Sequence, residues 1–213
     1  MRWEDPIREI DACRLCEVEG VRRLRVPAGA KCHPPLSPPR PTRVLFIAVA
    51  PPWNGGFFWD ESRDDRLRDG LLRAVTEATG ESIDSIKRFR QLGLYLVPAV
   101  RYPSEDAERD RPPAIEAIRN CERHLLRIVE AVSPERIVTL GQVPLRAVSE
   151  VFGLPVPPRL SDLRGVIRQV RAYGRPIPLA TTYFAGNNRH RGFGYIVSTI
   201  EQILSTNVEM KQA

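Results

Sequence analysis

Lysine and long apolar runs are what this 213-residue sequence has least of. Lysine occurs only at Lys31, Lys87 and Lys211, and the other 29 basic residues are arginine. No segment reaches the roughly 18 consecutive apolar residues of a membrane helix, and the first residues lack the apolar stretch of a signal peptide. There is no internal repeat. We therefore expect a cytoplasmic protein with no membrane partner.

Cysteine is also scarce, and the four that occur are Cys13, Cys16, Cys32 and Cys121. In a reducing compartment such residues are free thiols or metal ligands rather than disulfides. The first two form a C-x2-C pair, a spacing that brings two thiolates to the same side of a turn. With Cys32 and Cys121 they would complete a four-thiolate site for zinc or for a [4Fe-4S] cluster. The alternative is a C-x2-C without metal, with Cys121 as an ordinary core residue.

The charge is basic and unevenly distributed. The 32 basic and 26 acidic residues give a net charge of +6, and residues 159–191 hold seven arginines against one acid, Asp162. Arginine makes forked contacts to phosphate, so this stretch predicts contact with a polyanion such as nucleic acid. A solvated surface is an equally compatible interpretation.

The chain divides by composition. Residues 1–42 carry three cysteines and a proline-rich run at 33–41, which excludes regular structure in that run. We expect this segment to be packed by a metal cluster on a single domain formed by residues 43–207, with 208–213 as a tail. The hydrophobic content of 42% is enough for one core.

Strand-like and helix-like patterns alternate after residue 43. Apolar runs predict strands at 44–50, 94–100, 136–140 and 177–183. Helical spacing predicts helices at 66–78, 115–132, 144–151 and 193–204. This alternation indicates a parallel sheet covered on both faces. Ligands bind beyond the carboxyl ends of such strands, so the loops after Ala50, Val100, Leu140 and Tyr183 should share one edge.

Six separated motifs occur in the order typical of one family. They are the C-x2-C pair, AVAPPWNGG at 48–56, AVR at 99–101, NC at 120–121, VTLG at 138–141 and TYFAGNN at 182–188. Together they resemble the iron-sulfur uracil-DNA glycosylases, in particular the branch whose first motif reads GLAPxxxGG. The resemblance implies an α/β fold, a three-layer α/β/α sandwich with a mostly parallel central sheet. It also implies a [4Fe-4S] cluster held by four cysteines, for which Cys13, Cys16 and Cys121 match the motifs and Cys32 is the expected fourth ligand.

The implied activity is hydrolysis of the N-glycosidic bond of a base flipped out of DNA. Departure of the base leaves a cationic, oxocarbenium-like sugar, which a carboxylate stabilises directly or through water. By the resemblance, Asp60 supplies that carboxylate, with Glu61 and Asp64 as alternatives. Asn54 and Asn187 are the other expected catalytic residues.

The resemblance also implies how the base and the DNA are held. Ala50, Phe58, Tyr183 and Asn188 would bind the flipped base, with the Phe58 ring stacked on it. Phe58 as part of a core cluster is the alternative. Arg189 and Arg191, in a loop rich in asparagine, arginine and glycine, would contact DNA phosphates.

Three positions depart from the family pattern. Tyr102 stands where the family has a cysteine, and Cys32 would replace that ligand. Pro98 stands where uracil-specific members carry asparagine, and Phe184 stands where the family has a histidine. The expected function is therefore excision of uracil or, with altered specificity, of hypoxanthine or xanthine.

Two other functions fit the same residues. One is a catalytically impaired protein of this fold that binds damaged or single-stranded DNA. The other is a zinc-stabilised nucleic-acid-binding module, which would lack the absorption near 400 nm of an iron-sulfur chromophore. In each case we expect a monomer whose partner is nucleic acid.

Overall fold

The protein is described by a computed structural model that covers residues 2–21, 34, 36–51, 58–102, 112–187 and 192–206. Within these ranges the chain forms a five-stranded sheet with the order β2-β1-β3-β5-β4. Strands β1, β2, β3 and β5 are parallel, and β4 is antiparallel to β5. The strands are β1 (Val44–Ala48), β2 (Leu94–Pro98), β3 (Ile137–Leu140), β4 (Arg168–Ala172) and β5 (Arg175–Thr182).

Helices cover both faces of this sheet, so the expected three-layer α/β/α sandwich is confirmed. Helix α7 packs on β5 and on α3, whereas α6 packs on β1, β3 and α5, and α5 also contacts α1. No helix within the described ranges is both long and apolar enough to span a bilayer. The helices are α1 (Glu4–Ala12), α2 (Leu15–Val18), α3 (Arg66–Thr79), α4 (Ile86–Gln91), α5 (Ile115–Val132), α6 (Gln142–Phe152) and α7 (Phe193–Ser205), with 3-10 helices at Leu160–Leu163 and Ala185–Asn187.

The central strands form where the sequence has uninterrupted apolar runs. Every residue of β1, β2 and β3 is buried, as parallel strands covered on both faces require. Helix α3 begins at Asp65, whose carboxylate accepts a hydrogen bond from the Arg68 backbone N–H, and it ends at Gly80 in the left-handed region (φ 71°). Apolar runs in the strands and end signals such as those of α3 explain why the four expected parallel strands and the four expected long helices are confirmed.

Four elements lie where the sequence analysis placed none, α1, α2, α4 and β4, as do the two short 3-10 helices. Strand β4 forms a hairpin with β5 through Tyr173 and Gly174, which have φ values of 43° and 75°. Positive φ at both turn residues is the condition for a two-residue turn that matches the twist of the strands. The tyrosine-glycine pair before β5 was therefore the available signal for this hairpin.

The first helix contributes to the same core as the sheet. Ile10 is fully buried, and the Trp3 ring packs edge-on against Tyr95 of β2 with the centroids 5.7 Å apart. The Tyr95 hydroxyl donates a hydrogen bond to the Leu36 carbonyl oxygen. Apolar packing and this hydrogen bond therefore hold the N-terminal segment against β2 without involving its cysteines.

Candidate functional site

The loops that carry the motifs meet at one edge of the sheet. Since β1, β2, β3 and β5 are parallel, their carboxyl ends lie together, with Ala48 opposite Pro98 and Leu140 opposite Thr182. Hydrogen bonds continue past the strand ends, from Ala99 N to the Ala48 carbonyl over 2.8 Å and from Gly141 N to the Thr182 carbonyl over 2.8 Å. The expectation of a shared edge is thus met by the described residues.

A buried arginine organises the segment between Phe58 and Arg63. Arg68 of α3 is only 7% exposed, and its guanidinium donates to the carbonyl oxygens of Asp60 (2.8 Å), Phe58 (3.4 Å) and Arg63. Three backbone acceptors on one rigid donor fix the course of this loop against the helix. Sequence analysis missed Arg68, because only its position on the inner face of α3 sets it apart from other arginines.

Asp60 makes more polar contacts than Glu61 or Asp64, the two alternative carboxylates. It accepts hydrogen bonds from the backbone N–H and the hydroxyl of Ser62, and Arg63 lies 3.5 Å away. The Ser62 hydrogen bonds, chiefly that of the hydroxyl, lower the pKa of Asp60, so its carboxyl is ionised at neutral pH. Glu61 instead accepts from the Ile86 N–H at the start of α4, and Asp64 is exposed.

Phe58 lies in the aromatic part of the core. It is 2% exposed, and its ring packs edge-on against Trp59 and Phe89 at centroid distances of 5.2 and 5.4 Å. This is the arrangement of the alternative considered for it. Stacking on a base requires that one face of the ring be uncovered when DNA binds, so that role stays a prediction.

The late motif lies against the start of α3. Tyr183 is half-buried and packs edge-on against Tyr195, and Ala185–Asn187 forms a 3-10 helix in contact with α3. A Cβ atom on Gly186 would lie 2.6 Å from the Phe184 ring and 3.3 Å from the Leu67 backbone nitrogen. This glycine permits the close approach of the late motif to α3.

Replacing Gly186 with alanine should therefore destabilise the fold by about 1–3 kcal/mol, because the added methyl group overlaps the Phe184 ring. Gly194, in the first turn of α7, is a matched control, since a Cβ there meets nothing within 4 Å. Gly194→Ala should be neutral or stabilising by up to about 1 kcal/mol. Urea unfolding of the two variants checks this, and equal stabilities would contradict the close contact.

Several predicted site residues lie outside the described part of the chain, and for others the structure gives only the backbone or the burial. Asn54, Asn188, Arg189, Arg191 and Cys32 lie outside the described residues. The backbone of Asn187 belongs to the 3-10 helix, and Ala50 is half-buried after β1. Their roles stay predictions.

Three cysteines converge at a second place near the end of β2. Cys13, Cys16 and Cys121 are free thiols that line one cavity of about 50 Å³, between α1, α2 and α5. This is several times the space that one water molecule needs. Among the described residues, which do not include Cys32, no three His, Cys, Asp or Glu side chains are arranged to hold a metal ion. The three thiols thus line the same cavity.

Donors and positive charges face these sulfur atoms. The Arg123 guanidinium lies 3.5 Å from Cys13 Sγ, and the Asn120 amide lies 3.5 Å from Cys16 Sγ. Burial raises the pKa of the Cys121 thiol, whereas the backbone N–H and the charge of Arg101 act to lower it. Metal binding to these residues would therefore release protons, and the arginines would offset the negative charge of a thiolate-bound centre.

Two of the residues that depart from the family pattern lie near these sites, one beside the cavity and the other at the sheet edge. Tyr102 lines the cavity, with its hydroxyl 3.5 Å from the Cys13 carbonyl oxygen. Pro98 is buried at the end of β2 beside Ala48, where it provides no N–H or side-chain donor.

His124 also lines the cavity, and sequence analysis gave it no role. It is 3% exposed, and neither ring nitrogen has a hydrogen-bond partner among the described residues. Burial, with the charges of Arg101 and Arg123, lowers its pKa to about 4, so the ring is neutral at pH 7. Its spacing of three residues from Cys121, one helical turn, was the available signal.

The arginines of residues 159–191 do not share one face in the described part. Arg175 donates to the Ser133 and Pro134 carbonyl oxygens, where the parallel strands begin. Arg164 lies over the Tyr195 ring, beside Tyr183. Only part of this arginine-rich stretch is therefore near the motif-bearing edge.

Comparison with known proteins fits this architecture. The family model described as the uracil DNA glycosylase superfamily matches residues 34–202. The type-4 uracil-DNA glycosylase of Archaeoglobus fulgidus is 23% identical over 181 residues, which cover 84% of this chain and 79% of that protein. The matched region includes β1 through α6 and most of α7, and hence both the sheet edge and Cys121. This chain belongs to the uracil-DNA glycosylase superfamily.

Proposed function

We propose that this protein is a DNA glycosylase that hydrolyses the N-glycosidic bond of uracil, or of another deaminated base, in DNA. Membership of the superfamily and the similarity to a protein named as a uracil-DNA glycosylase support this proposal. The observation that carries this proposal is that the loop after the first motif and the late motif lie close together. The loop with Asp60 and the segment Ala185–Asn187 both lie against the start of α3, at the edge where ligands bind.

In the proposed reaction the protein stabilises two developing charges. The ionised Asp60 carboxylate stabilises the cationic sugar or orients the attacking water. Asn54 and Asn187 provide amide donors for the negative charge that develops on the departing base. Ala50, Phe58, Tyr183 and Asn188 form the base pocket, with Phe58 as the stacking ring once a base has entered.

The identity of the base depends on two departures from the family pattern, because Pro98 and Phe184 supply none of the donors that uracil-specific members have at these positions. A pocket without them has room for a larger base such as hypoxanthine or xanthine. Labelled oligonucleotides with uracil, hypoxanthine, xanthine or no lesion, assayed for abasic sites, test this. Release of one base identifies the substrate, and binding without release of any base supports the catalytically impaired alternative.

We also propose a metal centre held by Cys13, Cys16 and Cys121, which packs residues 1–42 on the domain of residues 43–207. The similarity to a type-4 uracil-DNA glycosylase and the motif order typical of the iron-sulfur glycosylases favour a [4Fe-4S] cluster over zinc, and in such a cluster each iron takes its own thiolate. The group would supply a structural cross-link. Absorption near 400 nm and about four iron atoms per protein chain are expected for one [4Fe-4S] cluster, and zinc without this absorption would favour the zinc-stabilised module.

The DNA is expected to contact Arg189 and Arg191. Replacing both with alanine should lower the slope of log K against log salt concentration by about two units, at about 0.9 per phosphate. Arg8 of α1 and Lys87 of α4 are exposed and lie outside the motif-bearing loops, so their double alanine variant controls for the lost charge. Fluorescence anisotropy at several salt concentrations measures both slopes. An unchanged slope for the first variant contradicts the phosphate contacts.

A further inference from the structure

The least explained side chain in the described core is His124. A buried polar atom without a partner destabilises the fold, so proteins rarely leave one unpaired. His124 has two such atoms, Nδ1 and Nε2, at 3% exposure, and no described residue bonds to either. Imidazole nitrogen is also a common metal ligand in proteins.

Its position makes a missing metal partner the direct explanation. His124 lies one helical turn after Cys121 on α5, and both residues line the cavity that Cys13 and Cys16 line from the N-terminal segment. Residues at this spacing lie on the same face of a helix. The helix thus presents one sulfur and one imidazole to the same space.

Other polar groups around the cavity already have partners. The Asn120 amide donates to Glu19 over 2.8 Å and contacts Cys16 Sγ, and the Tyr102 hydroxyl lies 3.5 Å from the Cys13 carbonyl oxygen. Arg101 and Arg123 are cations and have no lone pair to offer a metal. Among the described side chains that line the cavity, apart from the three cysteines, His124 is the buried one whose lone pair has no partner.

We propose that His124 is the fourth ligand of the metal centre, which therefore has three cysteines and one histidine. This inference rests on the proposed metal centre but not on base excision. It differs from the expectation that Cys32 completes the set. Because a neutral imidazole replaces a thiolate, the net charge of the metal centre is less negative by one elementary charge.

Metal retention separates the two ligands. We would purify the full-length protein anaerobically, measure iron and zinc, and repeat this with His124→Ala, His124→Cys and Cys32→Ser. His124→Ala should bind the metal at least about tenfold more weakly in a chelator competition, since loss of even an outer partner of a metal site has an effect of that size. Cys32→Ser should retain the wild-type metal content. His124→Cys should restore binding through a fourth thiolate.

A variant that fails to fold would mimic loss of a ligand, so a measurement on the wild type is needed. With ¹⁵N-histidine labelling, pulsed EPR of the reduced cluster should show strong ¹⁵N coupling that is absent from His124→Cys. For a zinc-loaded protein the same comparison is made after exchange with cobalt. Retention of metal by His124→Ala, loss of metal from Cys32→Ser, or absence of nitrogen coupling would overturn the assignment. A wild-type protein without bound metal would overturn both the metal centre and this ligand, whereas base excision would be unaffected as a proposal.

Discussion

Replacing Asp60 with asparagine should lower the single-turnover rate of base release by about 10²–10³-fold and leave the affinity for DNA nearly unchanged. The substitution keeps the size of the side chain but removes the negative charge that opposes the cationic sugar. The Ser62 hydroxyl and backbone N–H hold the pKa of Asp60 below its usual range. Wild-type activity should therefore persist as the pH falls towards the ordinary carboxyl range and be lost only below it.

The control for this experiment is Asp84→Asn, which makes the same charge change at an exposed position between α3 and α4. It should leave the rate of base release unchanged. Asp64→Asn tests one of the two alternative carboxylates, the exposed one. If Asp64→Asn abolishes release while Asp60→Asn does not, the carboxylate has been assigned to the wrong residue. Fluorescence anisotropy with the same oligonucleotide gives the affinities.

Replacing Cys121 with serine should remove the absorption near 400 nm and lower Tm by about 10 °C or more. Structural metal sites contribute several kcal/mol to folding, and about 2–4 °C is lost per kcal/mol in a protein of this size. Unfolding should remain cooperative, because Trp3 and Ile10 still tie the first helix to the core.

Ala117→Ser is the matched control, since Ala117 is fully buried on the same helix one turn before Cys121. It adds a similar buried hydroxyl but leaves every thiol in place, so the absorption should be retained. Scanning calorimetry and visible spectra of the two variants make the comparison. A Cys121→Ser protein with the spectrum of the wild type would show that Cys121 is only a core residue.

The parts of the fold that local sequence determines were predictable. Strand β1 follows from an apolar run that ends at two prolines, and α5 follows from apolar residues at helical spacing between Pro113 and Ser133. Helix α1 was missed because its sequence is mostly polar. It is stabilised by contact with Tyr95, more than eighty positions away, which no local pattern reports.

The same distinction applies to the site. The C-x2-C spacing predicted that Cys13 and Cys16 face one space, and motif order added Cys121. Arg68 was not predictable, because it differs from exposed arginines only in being buried, and the spacing of His124 from Cys121 did not by itself show that its ring is buried. Burial of a polar side chain arises from the packing of distant elements and leaves no signature at the residue itself.

The N-terminal segment also protects an edge of the sheet. Strand β2 is terminal in the sheet order and rich in apolar residues, all of them buried, and an uncovered strand of this kind is a template for pairing with another chain. Here the Trp3 ring packs on Tyr95, and Arg90 and Tyr95 bond to the carbonyl oxygens of Ser37 and Leu36. Removing residues 1–42 would therefore do more than delete cysteines, since it would expose this strand and make the remaining domain prone to aggregate.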